Sequence, residues 1–159
     1  MTDRIASFKV DHTRLLPGLY ISRNDGWGNA SVTTFDLRMK KPNDGDFLST
    51  GAAHAIEHLG ATFLRNHGKY AQKTVYFGPM GCRTGFYALF FGDITVAEIA
   101  PVFVEMCEYI LAYEGVLPGE SPEECGNYKD MSLEGARQEA KEYLKVLTNL
   151  NEQTTSYPS

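Results

Sequence analysis

The sequence predicts an α+β domain in which an antiparallel β-sheet carries α-helices on one face. Two observations support this fold class. Several short stretches have the composition of strands and can pair antiparallel. Three longer stretches, which lie between and after the strands, have the start signals or the apolar spacing of amphipathic helices. With 159 residues, the chain is long enough for one domain with a hydrophobic core, and we assign residues 1–159 to it.

The predicted strands differ in how their apolar residues are spaced. Residues 17–27 contain turn formers around a short apolar stretch at 19–21. Residues 31–40 alternate apolar and polar side chains, which indicates a half-buried strand. Residues 74–77 and Gly85–Phe91 flank a Gly-Pro-Met-Gly turn. The second of these two strands is nearly all apolar, and we therefore expect it to lie inside the sheet.

The first predicted helix is bounded by local signals. Ser49 and Thr50 are suited to cap its start, and Gly68 is suited to end it. Between them, apolar residues recur at three- and four-residue steps and no proline interrupts the run. Gly60 costs about 1 kcal/mol relative to alanine inside a helix. We therefore expect a neighbouring group to pack closely against that turn.

Two further helices follow the strands. Thr95 and Glu98 have the spacing of a capping box, which predicts a helix that continues to about residue 112. A third helix is predicted over residues 132–150. We expect the tail at 151–159 to be frayed, because terminal residues are ordered only when other parts of the chain hold them.

Composition and charge argue against several classes of protein. The net charge of −5 does not favour nucleic acid as a partner. No apolar run approaches the ~20 residues needed to span a membrane, and the N-terminal residues lack the pattern of a signal peptide. Three cysteines, an odd number, do not suggest a disulfide framework. We therefore expect a cytoplasmic protein with reduced thiols.

The stretch His-Ala-Ile-Glu-His is the strongest chemical motif in the chain. On a helix, His54 and His58 lie one turn apart on the same face, so both imidazoles can reach one metal ion. Glu57 borders that face and is placed to move a proton beside the metal rather than to bind it. This is the H-x-x-E-H pattern, which reverses the H-E-x-x-H motif of metalloproteases. The alternative is a helix whose two histidines lie at a polar boundary.

The three cysteines lie in different surroundings. Cys107 belongs to an apolar stripe of the second helix, which predicts a core position. Cys82 lies in a glycine-flanked turn between two strands, and it is either a small buried residue or an accessible thiol. Cys125 lies in a loop ahead of the third helix. It can complete a metal site with two histidines and leave one position open, or it is a loop cysteine without a partner.

Five motifs occur in order along the chain, at residues 7–12, 35–38, 54–59, 79–85 and 125–128. They read SFKVDH, FDLR, HAIEHL, PMGCRTG and CGNY. Together they closely resemble the S-ribosylhomocysteine lyase (LuxS) family, and the resemblance extends over roughly residues 6–148. The resemblance implies a metal-dependent aldose–ketose isomerisation and β-elimination. This reaction cleaves S-ribosylhomocysteine to homocysteine and 4,5-dihydroxy-2,3-pentanedione, the precursor of the autoinducer-2 signal.

The resemblance also implies a set of functional residues. It implies one divalent metal ion for each chain, Fe²⁺ in the cell and Zn²⁺ in some isolated forms, held by His54, His58 and Cys125. It assigns proton transfer to Cys82 and Glu57. No organic cofactor is expected, in agreement with the absence of a G-x-G-x-x-G or P-loop motif.

The same resemblance implies a homodimer with active sites at the subunit interface. Ser7, His12 and Arg38 are expected to contact the substrate in the neighbouring chain's metal site. Without the resemblance, Arg38 would be read as a solvated strand residue. Two positions depart from the family pattern that the resemblance implies, in which some members have an acidic residue where Tyr76 stands and the position of Asp130 is often histidine. The Tyr76 departure leaves open which group binds the substrate ammonium.

Two other interpretations of the His-Ala-Ile-Glu-His motif remain open from the sequence. The first is an inverted-type metallopeptidase, with Glu124 or Glu134 as the third ligand and Glu57 as the base. The second is a non-catalytic zinc module, in which both histidines together with Cys82 and Cys125 close a four-ligand site. The identity of the ligands distinguishes the three readings.

Overall fold

Four antiparallel strands form one sheet in the order β1-β2-β4-β3 in the computed structural model, which describes residues 1–159. The strands are β1 (Gly18–Trp27), β2 (Ala30–Arg38), β3 (Thr74–Pro79) and β4 (Gly85–Phe91). The first two form a hairpin and pair along their whole length. The predicted inner position of β4 is confirmed, because it pairs with β2 on one side and β3 on the other. The α+β fold class is confirmed as well.

Three long helices and two short ones accompany the sheet. They are α1 (Ala6–Lys9), α2 (Thr50–Arg65), α3 (Val96–Ala112), α4 (Leu133–Leu147) and α5 (Glu152–Thr155). The Ser49 side chain accepts a hydrogen bond from the backbone of Ala52 and caps α2 as predicted. This helix ends at Arg65, before the predicted stop at Gly68, because residues 67–70 form a turn around the His67 ring. No helix of the structure is both long enough and apolar enough to cross a membrane.

One hydrophobic core of 26 buried residues lies between the sheet and helices α2, α3 and α4. The expected close neighbour of Gly60 is Phe77 of β3, because a Cβ atom at Gly60 would lie 2.4 Å from Cε2 of that ring. The core position predicted for Cys107 is confirmed, since only 2% of the residue is exposed. Burial raises the pKa of its thiol to about 12, which leaves it unreactive.

The prediction of a half-buried strand is wrong for the second half of β2. All six residues from 33 to 38 are buried, including Asp36 and Arg38 on the polar face. The helices cover Phe35 and Leu37 on the core face. The N-terminal segment and the C-terminal tail cover the other face. Arg38 is therefore a buried charged residue rather than a solvated one.

The tail at 151–159 is not frayed, in contrast to the expectation from the sequence. Asn151 caps the short helix α5, which contacts β1. The ring of Tyr157 stacks on that of Tyr20, with centroids 4.9 Å apart. The tail packs on β1, which has 10 residues and is therefore longer than the apolar stretch at 19–21 predicted.

Candidate functional site

Helix α2 and the loop before α4 bring two imidazoles and one thiol together. The ligand atoms of His54, His58 and Cys125 all lie within 4.8 Å of one another. Sγ of Cys125 is 3.4 Å from Nε2 of His54. A metal ion with bonds of about 2.0–2.3 Å separates its ligand atoms by roughly 3–4 Å. The cluster therefore has nearly the size of a metal site, and its N₂S donor set suits a divalent transition metal.

Backbone carbonyls fix the orientation of both histidine rings. Nδ1 of His54 is 2.8 Å from the carbonyl oxygen of Asp130, and Nδ1 of His58 is 2.7 Å from that of Pro118. A carbonyl oxygen only accepts, so each Nδ1 carries the proton and each Nε2 keeps its lone pair. A metal-ligating histidine usually makes such a hydrogen bond with the ring nitrogen that does not bind the metal. Both rings are therefore prepared to bind through Nε2.

The other carboxylates and thiols proposed from the sequence do not join this cluster. Glu124 accepts a hydrogen bond from Ser121, and Glu134 lines a separate cavity at the start of α4. Cys82 is outside the cluster as well. Within this chain, neither the peptidase-type ligand set nor the closed four-ligand zinc site is formed. Glu57 is half-buried on α2, next to His58 in the chain.

A second group of predicted residues lines a cavity of about 350 Å³ over the sheet face that points away from the core. The cavity gathers the four remaining candidates, Ser7, His12, Arg38 and Cys82. The other residues around it are Phe8, Pro42, Asn43, Phe47, Met80, Gly81, Thr84 and Tyr87. None of the three cluster residues and no part of Glu57 borders it. The candidate site is thus divided into two parts, which do not meet within one chain.

Arg38 is held in the cavity wall by a buried ion pair. Its Nε and Nη2 donate to the two oxygens of Asp36, at 3.1 and 2.7 Å, and its Nη1 donates to Oγ1 of Thr84 at 2.8 Å. Burial opposes the positive charge, but Asp36 outweighs it and raises the pKa of Arg38 above its ordinary value. The guanidinium fork is therefore already occupied, and the remaining N–H groups are available to a ligand.

The loop that carries Cys82 has an uncommon backbone conformation. Arg83, the next residue, has a φ of 59°, a left-handed value that non-glycine residues rarely adopt. Its backbone oxygen accepts from the amide of Leu48 at 2.9 Å, and its Nη1 donates to the carbonyl of the same residue at 3.2 Å. These contacts anchor the loop beside the start of α2. Cys82 is left exposed at the cavity, with its Sγ 3.1 Å from Oγ1 of Thr84.

Three residues of the site were missed from the sequence. Asp36 and Thr84 both hold Arg38, and Tyr157 donates to Oδ2 of Asp36 at 2.7 Å. The two-residue spacing of Asp36 and Arg38 puts both side chains on one face of a strand, so an ion pair could have been inferred there. Tyr157 is 121 residues from Asp36, and no local pattern in the sequence indicates that contact.

Comparison with known proteins agrees with these features. Residues 5–154 match the family model described as S-ribosylhomocysteinase (LuxS). The chain is 51% identical over 156 residues to S-ribosylhomocysteine lyase of Clostridium acetobutylicum, a match that covers 98% of this chain and 99% of the relative. It is 50% identical over 158 residues to the enzyme of the same name from Desulfotalea psychrophila, with 99% of each chain covered. It is 44% identical over 155 residues to that of Borreliella burgdorferi, with 98% and 99% covered.

Proposed function

Because the chain belongs to the S-ribosylhomocysteinase (LuxS) family and is an S-ribosylhomocysteine lyase, we propose that it cleaves this substrate at a site shared between two copies of the chain. The observation that carries the function is the cluster of His54, His58 and Cys125, within 4.8 Å, in a chain that the family model spans almost entirely. The finer assignments below concern the metal, the proton-transfer groups, the substrate contacts and the dimer.

The three cluster residues would hold one divalent metal ion. The donor set of two nitrogens and one sulfur fits Fe²⁺, which we expect in the cell, and also Zn²⁺, which we expect in some isolated preparations. With three protein ligands, such an ion would keep a coordination position open to substrate. When bound, the ion supplies Lewis-acid stabilisation of the negative charge that develops on substrate oxygen.

Glu57 and Cys82 would move the protons. Two aldose–ketose steps must carry the substrate carbonyl from C1 to C3 of the opened sugar. In each step one group removes a proton from carbon and returns one to its neighbour. A proton then leaves C4, the electron pair of the broken C–H bond forms the C4–C5 double bond, and the C5–sulfur bond breaks. The released thiolate takes up a proton to give homocysteine. The remaining enol gains a proton at C5 and loses the one on its C4 hydroxyl, which gives 4,5-dihydroxy-2,3-pentanedione. Two positioned acid–base groups meet these needs.

Ser7, His12 and Arg38 would hold the polar groups of the substrate. All three line the cavity that also contains Cys82. The Arg38 fork is occupied by Asp36 and its charge is largely compensated there. Its free N–H groups therefore suit single hydrogen bonds to substrate hydroxyls better than bidentate capture of a carboxylate. The hydroxyl of Ser7 and the imidazole of His12 can donate or accept beside it.

A homodimer would join the two parts of the site. Four large apolar residues of the N-terminal segment, β3 and β4 are at least half exposed, namely Ile5, Phe8, Tyr76 and Phe91. Phe8 lines the cavity, and Ile5 and Tyr76 line the neighbouring one. Burying such a patch against a second copy would stabilise a symmetric dimer. The same packing would bring the cavity of one copy to the metal cluster of the other. This arrangement accounts for a catalytic thiol that lies outside the metal cluster of its own chain.

We place this enzyme in the cytoplasm, because Cys82 and Cys125 must remain thiols for either role and a reducing compartment keeps them so. Its products would serve two purposes. Homocysteine would return to methionine metabolism, and 4,5-dihydroxy-2,3-pentanedione would supply the autoinducer-2 signal of quorum sensing.

The test is release of free thiol from S-ribosylhomocysteine by the purified protein, loaded anaerobically with Fe²⁺. We expect one equivalent of thiol for each equivalent of substrate and loss of activity after chelation. The matched control is S-adenosylhomocysteine, whose ribose cannot open to an aldehyde and which should release no thiol. Absence of thiol release by protein with full metal occupancy would contradict the proposed function.

A further inference from the structure

We propose that the C-terminal tail, residues 151–159, positions the substrate cavity through Tyr157, which holds Arg38 by way of Asp36. This inference rests on the proposed role of Arg38 in substrate binding. It makes Tyr157 a positioning residue, because its hydroxyl contacts Asp36 and not the cavity itself.

The contact between the tail and Asp36 is direct and partly buried. The hydroxyl of Tyr157 donates to Oδ2 of Asp36 at 2.7 Å, and Nη2 of Arg38 donates to the same oxygen at 2.7 Å. The Asp36 side chain is fully buried, so water cannot replace a lost donor there without rearrangement. Tyr157 and Arg38 therefore donate to the same oxygen of Asp36. The orientation of this carboxylate, which fixes Arg38, depends on both hydrogen bonds.

The Tyr157 hydroxyl stays a donor at every working pH. Burial raises the pKa of Tyr157 well above its ordinary value, and the charge of Asp36 raises it further. The neutral phenol is the form that donates a hydrogen bond. The contact between Tyr157 and Asp36 is therefore a fixed part of the fold rather than a pH switch.

The polar chain continues from Arg38 to the thiol. Nη1 of Arg38 donates to Oγ1 of Thr84, and that oxygen is 3.1 Å from Sγ of Cys82. A hydroxyl that accepts from a guanidinium still has its own proton to give. Thr84 can therefore donate toward the sulfur. A displacement of Arg38 would therefore alter the cavity wall more than Cys82, because Thr84 can donate to the sulfur without Arg38.

Several contacts hold the tail in place. The Tyr157 ring stacks on Tyr20 of β1 with an interplanar angle of 15°. A Cβ atom at Gly18 would lie 2.1 Å from the carbonyl oxygen of Thr154, so the strand admits the tail only because this residue is glycine. Nη1 of Arg14 donates to the carbonyl of Ser159, which links the tail to the segment that carries His12. The tail thus supports two of the proposed substrate-binding elements.

The test compares Tyr157→Phe with Tyr20→Phe in the metal-loaded enzyme. The first variant keeps the stacked ring and removes the donor to Asp36. The second removes the hydroxyl of the neighbouring ring, which donates to the carbonyl of Leu16 at 2.7 Å and lies 3.5 Å from that of Gln153 in the tail. It therefore removes a tail contact of similar kind but no hydrogen bond to Asp36. Because a hydrogen bond to a charged group is lost, we expect Tyr157→Phe to raise KM for S-ribosylhomocysteine by about 3–10-fold with kcat within twofold. Tyr20→Phe should leave both constants within twofold.

The outcomes separate this inference from the function on which it rests. A parent protein without lyase activity would refute the proposed function before any variant is measured. An active parent whose KM is unchanged in Tyr157→Phe would overturn the positioning role alone. Equal losses in both variants, with equal falls in Tm, would overturn it too, because they would show that the tail contributes only to stability.

Discussion

At the residue scale, metal binding by the cluster depends on the fixed orientation of its two imidazole rings. Carbonyl oxygens of Asp130 and Pro118 hold the two Nδ1 atoms, so His54 and His58 present Nε2 to the same point. The helical spacing of the histidines could be predicted from the sequence. The carbonyl acceptors could not, because they are backbone atoms of a loop that is distant in sequence. Asp130 supports His54 through its main chain, and its side chain accepts a hydrogen bond from Thr50 instead.

The thiol of Cys125 should be necessary for metal binding. We expect Cys125→Ala to lose tight metal binding and lyase activity together, because two imidazoles alone form an incomplete site. Metal content of the purified variant, measured by elemental analysis, checks this prediction. Cys107→Ala is the matched control, because this thiol is buried in the core and is not a proposed ligand. Its removal should lower the free energy of unfolding and leave the metal content unchanged. Full occupancy in Cys125→Ala would exclude this residue as a ligand.

Substitution of Glu57 or Cys82 should reduce turnover without removing the metal ion. We expect Glu57→Gln and Cys82→Ala to retain the metal ion and to lose about 10²–10⁴-fold in turnover, because each removes a proton-transfer group and no ligand. Metal content and thiol release, measured on the same preparations, check the pair. Glu123→Gln, which changes an exposed carboxylate of the Cys125 loop, should behave as the parent. Near-normal turnover in either variant would remove that residue from the mechanism.

At the scale of elements, helices and inner strands were predictable because their signals are local. The cap at Ser49, the capping box at Thr95 and the apolar run of β4 lie within the elements they specify. The far half of β1 and the docked tail were not predictable, since each is formed by pairing or packing with a distant segment. The buried polar face of β2 was missed for the same reason. The alternating polar residues of β2 predict a solvent-exposed face, because the sequence does not show that distant segments cover it.

The packing of α2 on β3 should be sensitive to one added methyl group. Gly60→Ala gains about 1 kcal/mol of helix propensity but drives a Cβ atom into the Phe77 ring, and overpacking typically costs 1–3 kcal/mol. We expect a net loss of about 1 kcal/mol in the free energy of unfolding, measured in urea. The control is Gly51→Ala in the first turn of the same helix, where the nearest atom would be 3.4 Å away. Stabilisation by Gly60→Ala would show that the ring moves aside.

At the scale of the whole molecule, the defining feature is the division of the candidate site into two parts. The metal cluster with Glu57 belongs to α2 and the loop before α4. The cavity with Cys82 and Arg38 lies over the opposite face of the sheet. The sequence indicated all of these residues but could not show that Cys82 groups with Arg38 rather than with the histidines. That grouping follows from the loop geometry at Arg83 and the contact with Thr84.

A mixing experiment with inactive variants tests the shared site most directly. Chains with Glu57→Gln and chains with Arg38→Ala, co-folded in equal amounts, should form heterodimers with one intact site. With half the dimers mixed and one of two sites intact, about a quarter of parental activity should return. Cys82→Ala should complement Glu57→Gln in the same way. It should not complement Arg38→Ala, since both changes lie in the same part of the site. Inactivity of the Glu57→Gln and Arg38→Ala mixture, with heterodimers confirmed, would contradict the shared site.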